Sequence, residues 1–475
     1  MALTLIISDL HIAAGCDPQT GKFSPLDDFH ADSIIARFLA HYHSDSPGAH
    51  LVLNGDTFDM TQVLEIPPPA EIATVVGPGG LDRDRRWYGL RHSLPEVRWK
   101  LSRIAQGHAG FFAALGEWIE RGNELHIVIG NHDPELRLPG AQDHLAHLLA
   151  QARPGLDPDV VRHHLHFYDW YLLQPEQGLY IEHGGQYEPL AYMEGGRLPA
   201  CYYNNRYIFN FLEARTPEAD NIFPFSRYLA WLLSTDTLPT LAILLRQLPD
   251  YVRARRMARE ELPPPAPPPL RLPAEIEQVI CQSCDLQHRH FNRVAWRTTF
   301  FTLLAILLNL FSYLCPLFAI LALLTHQVAL GLLMLLAWLL ARLSSQSIIT
   351  NYLHRSFISE SNFLQEAATA FAPLLAAHNI RTIVFGHTHQ PDVAQLPGGV
   401  RYFNTGTWVP IFSEDTRLDD REQIYLFVEV RDGNARLLRW RDEAKEPETP
   451  IIIDRVRHIK LLPRYRPTLR HRGRR

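Results

Sequence analysis

The sequence predicts an α/β fold interrupted by an inserted hydrophobic hairpin, and two observations carry that expectation. First, five short polar segments each follow a strand-like apolar run. Asp9-Leu10-His11 follows LTLIIS, Gly55-Asp56 follows HLVLN, and Gly130-Asn131-His132-Asp133 follows ELHIVI. His183 follows LYIE, and Gly386-His387-Thr388-His389 follows TIVF. Short apolar runs of this kind read as buried strands, and the loops after such strands are where α/β proteins place binding residues. Second, residues 298–341 form a stretch of 44 without Asp, Glu, Lys or Arg.

Composition sets outer bounds. At 475 residues, 46% hydrophobic and 20% charged, the chain is long for one small domain and otherwise globular in character. A net charge of −5 argues against a general nucleic-acid binder. Cys16, Cys201, Cys281, Cys284 and Cys315 are scattered and odd in number, which predicts reduced thiols in a cytoplasmic setting. The opening MALTLIISDLH has neither the basic region nor the long apolar core of a signal peptide. Cys281 and Cys284, followed by His288 and His290, lack a second pair at zinc-site spacing and give only a weak zinc signal. Residues 15–22 echo a phosphate loop, but Phe23 stands where Ser or Thr is required.

The polar segments supply Asp, His and Asn, the ligand types of a two-metal hydrolytic site. Two divalent cations roughly 3.5–4 Å apart clamp a phosphate and lower the pKa of a bound water toward ~7. Imidazole with carboxylate suits Mn, Fe or Zn, whereas an all-oxygen shell suits Mg or Ca. The chain carries 24 histidines, and most need no such role. His30, His41, His43, His50, His163, His164 and His166 are read as packed or solvated.

The ordered pattern D-x-H, G-D, G-N-H-D, H and G-H-x-H resembles the calcineurin-like metallophosphoesterase superfamily, from Asp9 to His389, with no signature residue missing. The resemblance implies a two-sheet sandwich flanked by helices, with metals at strand ends along one edge. It implies a hydrolase of phosphate esters or anhydrides that uses two divalent ions, Mn first, with Fe or Zn as alternatives. Asp9, His11 and His389 would hold one metal, Asn131, His183 and His387 the other, and Asp56 would bridge them. His132 would meet the phosphate and protonate the leaving oxygen, with Asp133 orienting its imidazole. Ser8-Asp9-Leu10-His11 and Gly55-Asp56-Thr57-Phe58-Asp59 are similar to the branch containing the UDP-diacylglucosamine pyrophosphohydrolases of lipid A synthesis. The chain departs from that branch in having His132 where those enzymes carry Arg, and in its hydrophobic insertion.

The insertion holds two apolar blocks, residues 300–324 and 328–343, separated by Thr325-His326-Gln327. A membrane-spanning helix needs about 20 apolar residues, so the first block suffices and the second does so if it continues through 344–350. Pro316 is expected to kink the first helix, as membrane helices allow. A re-entrant hairpin or an apolar dimerisation patch are the alternatives. Arg289, Arg293, Arg297, Arg342 and Arg355 flank both ends, placing them on the cytoplasmic side. Residues 225–259 alternate apolar stretches with Arg253, Arg255, Arg256 and Arg259, which suits either interfacial helices or a cap over the site. Six prolines within 263–269 read as a stiff spacer. After Asp454 the tail has nine Lys or Arg and no acid, a pattern that fits anionic lipid headgroups.

The expected layout is a core first half at 1–190, a helical insertion at 191–297, a membrane hairpin at 298–349, a core second half at 350–455 and a basic tail at 456–475. The expected substrate is a phosphate ester or pyrophosphate on a membrane lipid or lipid-linked intermediate, hydrolysed on the cytoplasmic side of a membrane. The alternative is an anchored enzyme acting on a soluble nucleotide, phosphoprotein or nucleic acid.

Overall fold

A computed structural model of the chain describes residues 3–43, 48–210, 237–257, 262–348, 363–409 and 425–450. Two β-sheets form the centre. The larger has seven strands and the smaller has five. In the larger, β1 (Leu3–Ile7), β2 (His50–Asn54), β3 (Glu124–Val128) and β4 (Leu165–Tyr168) run parallel. β10 (Leu426–Arg431) pairs antiparallel with β1 and leads to β11 (Asn434–Arg441) and β12 (Glu446–Glu448). In the smaller sheet, β6 (Leu179–Glu182), β7 (Thr382–Phe385) and β9 (Val400–Asn404) run parallel. β5 (Tyr171–Gln174) and β8 (Asp392–Leu396) flank them as antiparallel edges. Both sheets mix strands from early and late in the chain, so the site is assembled from distant sequence.

Burial explains the strand sequences. β1 is buried along its whole length, because both of its faces are covered. Ile6, Val52 and Val128 face the smaller sheet and pack with Ile181, Val384 and Phe403. Leu5, Leu51, Leu53 and Ile127 point the other way, onto helices α1 (Asp32–Tyr42) and Ala109–Glu120. The outer face of the smaller sheet is covered by helix Phe363–Ala377 and by Ile276 and Ile280 of the long helix Ala274–Leu324. The result is four layers, helix, sheet, sheet and helix.

The long helix has 51 residues, roughly 75 Å at ~1.5 Å per residue. It continues through Pro316, and the boundary expected at 297/298 falls inside it. A charge-free run marks where the environment changes, whereas the backbone hydrogen-bond ladder has no reason to stop there. Helix Val328–Ser347 folds back against it, held by Arg342 donating to Asn309 Oδ1 at 2.8 Å and Ser345 donating to the Ala305 carbonyl at 3.1 Å. Leu303–Leu324 and Val328–Ser345 are long and apolar enough to cross a membrane, with mean hydropathy 2.2 and 1.9. Only 28% and 17% of those windows are buried, so they are not core helices of this fold. Phe300, Leu307 and Leu317 are each at least 60% exposed. The basic tail at 456–475 and Arg355 lie outside the described residues, as do 225–236 and 258–259 of the interfacial segment.

Candidate metal centre

The C-terminal ends of β1, β2, β3, β6 and β7 converge at one edge of the two sheets, and the loops beyond them are stitched together. The Asp9 amide donates to the Gly55 carbonyl (3.1 Å), the His11 amide to the Asp56 carbonyl (2.9 Å) and the Gly386 amide to the His183 carbonyl (3.0 Å). The Asn54 side chain reaches across to the Glu182 carbonyl of the other sheet (3.0 Å). Every residue expected at the site is at this edge.

The local backbone is unusual in a consistent way. Asp9, His11, Asp56, His387 and His389 all have positive φ, between 47° and 68°. Non-glycine residues rarely adopt this conformation, and such strain concentrates at functional sites. Two glycines are fixed by close approach. A Cβ on Gly55 would sit 2.2 Å from His183 Nδ1, and one on Gly130 would sit 2.1 Å from Asp56 Oδ1. The glycine before Asp56 and the glycine before Asn131 therefore let the ligand side chains meet.

Two groups of donor atoms result. Asp9, His11 and His389 form the first, and Asp56, His183 and His387 the second, with the donor atoms of each group within 4.8 Å of one another. In the first, His389 Nε2 is 3.2 Å from Asp9 Oδ1 and 3.0 Å from His11 Nε2. In the second, His183 Nε2 is 3.2 Å from Asp56 Oδ2 and 3.2 Å from Asn131 Oδ1. Asp56 Oδ2 also lies 4.0 Å from His11 Nε2, so this carboxylate stands between the groups. His183 Nδ1 is held by the Asn54 carbonyl at 3.0 Å, which turns Nε2 inward. His387 Nε2 meets Glu188 Oε2 at 2.9 Å, while His387 Nδ1 is buried without a hydrogen-bond partner. An imidazole with one nitrogen on a carboxylate and the other left open is the usual posture of a metal ligand. The donor set therefore fits two divalent cations.

Charges are balanced through the same contacts. Burial pushes the Asp9 and Asp56 carboxyls up, yet His389 beside Asp9 and His183 and His132 beside Asp56 hold both below the ordinary range. Burial opposes charge on His183, but Asp56 and Asp9 raise it to about 9. A proton on that imidazole and a divalent cation thus compete for the same carboxylates.

One expectation is corrected. Asp133 does not orient the His132 imidazole. Its Oδ2 accepts the Thr57 and Phe58 amides (2.8 and 3.3 Å) and its Oδ1 the Gly130 amide (2.7 Å), so it ties two site loops together. Three amide donors use its lone pairs and hold it away from the ring. Asp59 takes the role instead, with Oδ2 2.6 Å from His132 Nδ1. A carboxylate only accepts here, so Nδ1 carries the proton. Burial opposes charge on His132, but Asp59 and Asp56 raise it to about 10. Asp59 and His132 also form a third close group with His11, whose Nδ1 is 3.8 Å from Asp59 Oδ2.

Sequence reasoning missed Asp59 and Glu188. Asp59 lies three residues after Asp56 in a motif already singled out, so a signal existed. Glu188 has none, because it reaches His387 from 199 positions away. A roof covers one side of the centre. Helix Ala200–Asn204 passes into a π-helical turn, Asn205–Phe209, a form that recurs at functional sites. It sets Cys201 Sγ 3.7 Å from Asn131 Nδ2 and Asn205 Nδ2 3.4 Å from His132 Nδ1. The five cysteines are all free thiols, and Cys281 and Cys284 belong to no donor group among the described residues. No protein-family model and no curated protein matches the chain.

Proposed function

We propose that the chain is a dinuclear metallophosphoesterase of the calcineurin-like type, anchored by a membrane-spanning hairpin and hydrolysing a phosphate ester or pyrophosphate on a lipid or lipid-linked substrate. One observation carries the hydrolytic reading. Two His/Asp donor groups share a side of Asp56, and five of their residues are held in left-handed backbone conformations. Such convergence has no structural rationale in a simple packed core.

Asp9, His11 and His389 would hold one ion, His183, His387 and Asn131 the other, and Asp56 both. The ions, Mn or alternatively Fe or Zn, would neutralise phosphate charge and acidify water. His132, held by Asp59 through Nδ1, presents Nε2 as the proton donor. As water oxygen bonds to phosphorus and the leaving P–O bond breaks, the Nε2 proton passes to the departing oxygen. Asp133 keeps the loops of Asp56 and Asn131 in register.

The membrane part of the reading rests on the exposed apolar hairpin. It is inserted between β6 and β7, which are hydrogen-bonded neighbours, so both its ends must return to the side that holds the metal centre. The flanking arginines, by the positive-inside tendency, support a cytoplasmic position for that side. Reporters fused after residues 290 and 355 are expected on one side and a reporter at 326 on the other. Finding the first two on opposite sides would overturn the topology.

Substrate choice has its own test. With the metal-loaded full chain in detergent micelles, a lipid phosphoester or pyrophosphate is expected to give higher kcat/KM than its deacylated headgroup. Equal efficiency would favour a soluble nucleotide or phosphoprotein substrate, with the hairpin serving only to locate the enzyme.

A further inference from the structure

Away from the metal centre, one surface combines cationic and apolar groups. Helix Arg83–Tyr88 and helix Thr237–Met257 lie side by side, joined where the Tyr88 hydroxyl meets Gln247 and donates to Asp250 at 2.9 Å. Their inner sides pack on the roof, through Tyr88, Tyr203, Tyr207 and Tyr251. Their outer sides expose Trp87, Leu245 and Met257, the last at 71%. Arg246 and Arg83 lie over the Trp87 ring, 5.0 and 5.8 Å from its centre. Of the seven arginines in the two helices, Arg85 is held by Asp82 and Glu96 and Arg255 lies over the inward Tyr203 ring, which leaves Arg83, Arg86, Arg246, Arg253 and Arg256 exposed beside two aspartates, Asp84 and Asp250. Both aspartates are engaged, Asp84 with Arg91 and Arg206, Asp250 with Tyr88, Arg83 and, at 3.9 Å, Arg253.

We infer that this ridge docks on an anionic phospholipid surface. The inference rests on the membrane part of the reading above and not on the hydrolytic part. Charge complementarity selects the occupant. An excess of guanidinium groups attracts anionic headgroups, at about 1 kcal/mol per arginine near the surface. An indole is at home at headgroup depth, and Leu245 and Met257 supply the apolar tips that enter the acyl boundary. A nucleic acid would meet the arginines but leave the aliphatic side chains without partners. The ridge thus adds a second contact, sensitive to lipid charge, beside the hairpin. Because its inner side carries the roof over His132 and Asn131, docking sets the site's height above the headgroups.

The test uses the full chain in nanodiscs of phosphatidylcholine, alone or mixed with phosphatidylglycerol. A coumarin side chain is placed at position 245, or at 307 in the hairpin as reference, and lipids with a quencher at headgroup or acyl depth are added. At 307, strong quenching is expected in both lipids. At 245, quenching is expected in the phosphatidylglycerol discs, weakened by raised salt and by Arg83→Gln, Arg246→Gln or Arg253→Gln, about fivefold for each charge removed. Unchanged hydrolysis of a small phosphate ester checks that these variants fold. Quenching at 307 without any at 245 would overturn the ridge and leave the anchor standing. Absence of quenching at both positions would overturn the anchor and the ridge together. Quenching at 245 that ignores lipid charge would overturn the electrostatic assignment.

Discussion

Histidines gather toward both ends of the parallel strands of the two sheets, and the two ends differ in every respect that matters for metal binding. At the C-terminal end, His11, His183, His387 and His389 point their nitrogens toward carboxylates, and Asp9 and Asp56 stand among them. At the N-terminal end, His50, His126 and His166 on β2, β3 and β4 stack face to face, with ring centres 5.1 and 5.0 Å apart. Their nitrogens are taken up locally. His50 Nδ1 meets His126 Nε2 at 2.8 Å, His126 Nδ1 meets the Tyr168 hydroxyl at 3.0 Å, and Glu124 caps His166 and His164 at 2.7 and 2.9 Å. The electrostatics run in opposite directions. Burial, with His50 and His166 beside it, drives His126 down to about 3, whereas carboxylates raise His183 to about 9. Histidine density alone does not make a metal site. Interspersed carboxylates and glycines that let them approach do.

The two ends should differ most at Asp56. Asp56→Asn should cost more than any other single change, exceeding the roughly 10–100-fold of an outer-shell substitution, because one carboxylate serves both donor groups. Metal analysis and turnover of a nitrophenyl phosphate would check it, and an unaffected metal content would remove Asp56 from between the groups. His132→Ala should keep two ions while losing turnover by roughly 10²–10⁴-fold. An emptied position would instead make His132 a ligand, as its closeness to His11 and Asp59 permits. Asp59→Asn should follow at about 10–100-fold, with metal content unchanged. Asp133→Asn should act chiefly by lowering stability, since it holds backbone amides and not the ring.

Stability offers a smaller effect with a defined pH window. Burial opposes charge on His108, but Asp27 and Asp32, each 2.9 Å away, raise it to about 9. A folded-state pKa above the unfolded value means that the charged triad stabilises fully below about 6.5 and is lost as pH rises through about 9. The stability gap between the natural chain and His108→Gln, read by urea unfolding, should therefore close as pH rises toward 10. A gap that widens would reverse the assignment. The least effect is expected at the other end of the sheet. Replacing His50 and His166 by Gln should leave the bound-metal count unchanged and cost about 1 kcal/mol for each hydrogen bond lost. A lost ion would mean that the stacked histidines bind metal after all.

The sequence was informative where a short local rule suffices. Apolar runs ending in Asp or His located β1, β2, β3, β6 and β7, and a charge-free stretch located the hairpin helices. It was silent where partners come from far away. The Glu188 contact to His387 depends on β6 and β7 being neighbours, with the whole insertion between them in sequence. The motif resemblance pointed to Asp133 as the partner of His132, but adjacent side chains leave a loop in different directions, and Asp59 meets the ring instead. The same limit hid the Trp87 ridge, whose two helices are 149 residues apart in sequence at the start of the second and meet through Tyr88, Arg83 and Trp87.

Two ions bound between these donors are proposed to support hydrolysis. The most direct test is a titration of chelator-stripped full chain with Mn(II), counting bound ions and following nitrophenyl phosphate cleavage in the same samples. Two ions per chain are expected, with turnover that rises only as the second position fills. Full activity in the stripped chain, or two bound ions without turnover on any phosphate ester, would contradict that proposal.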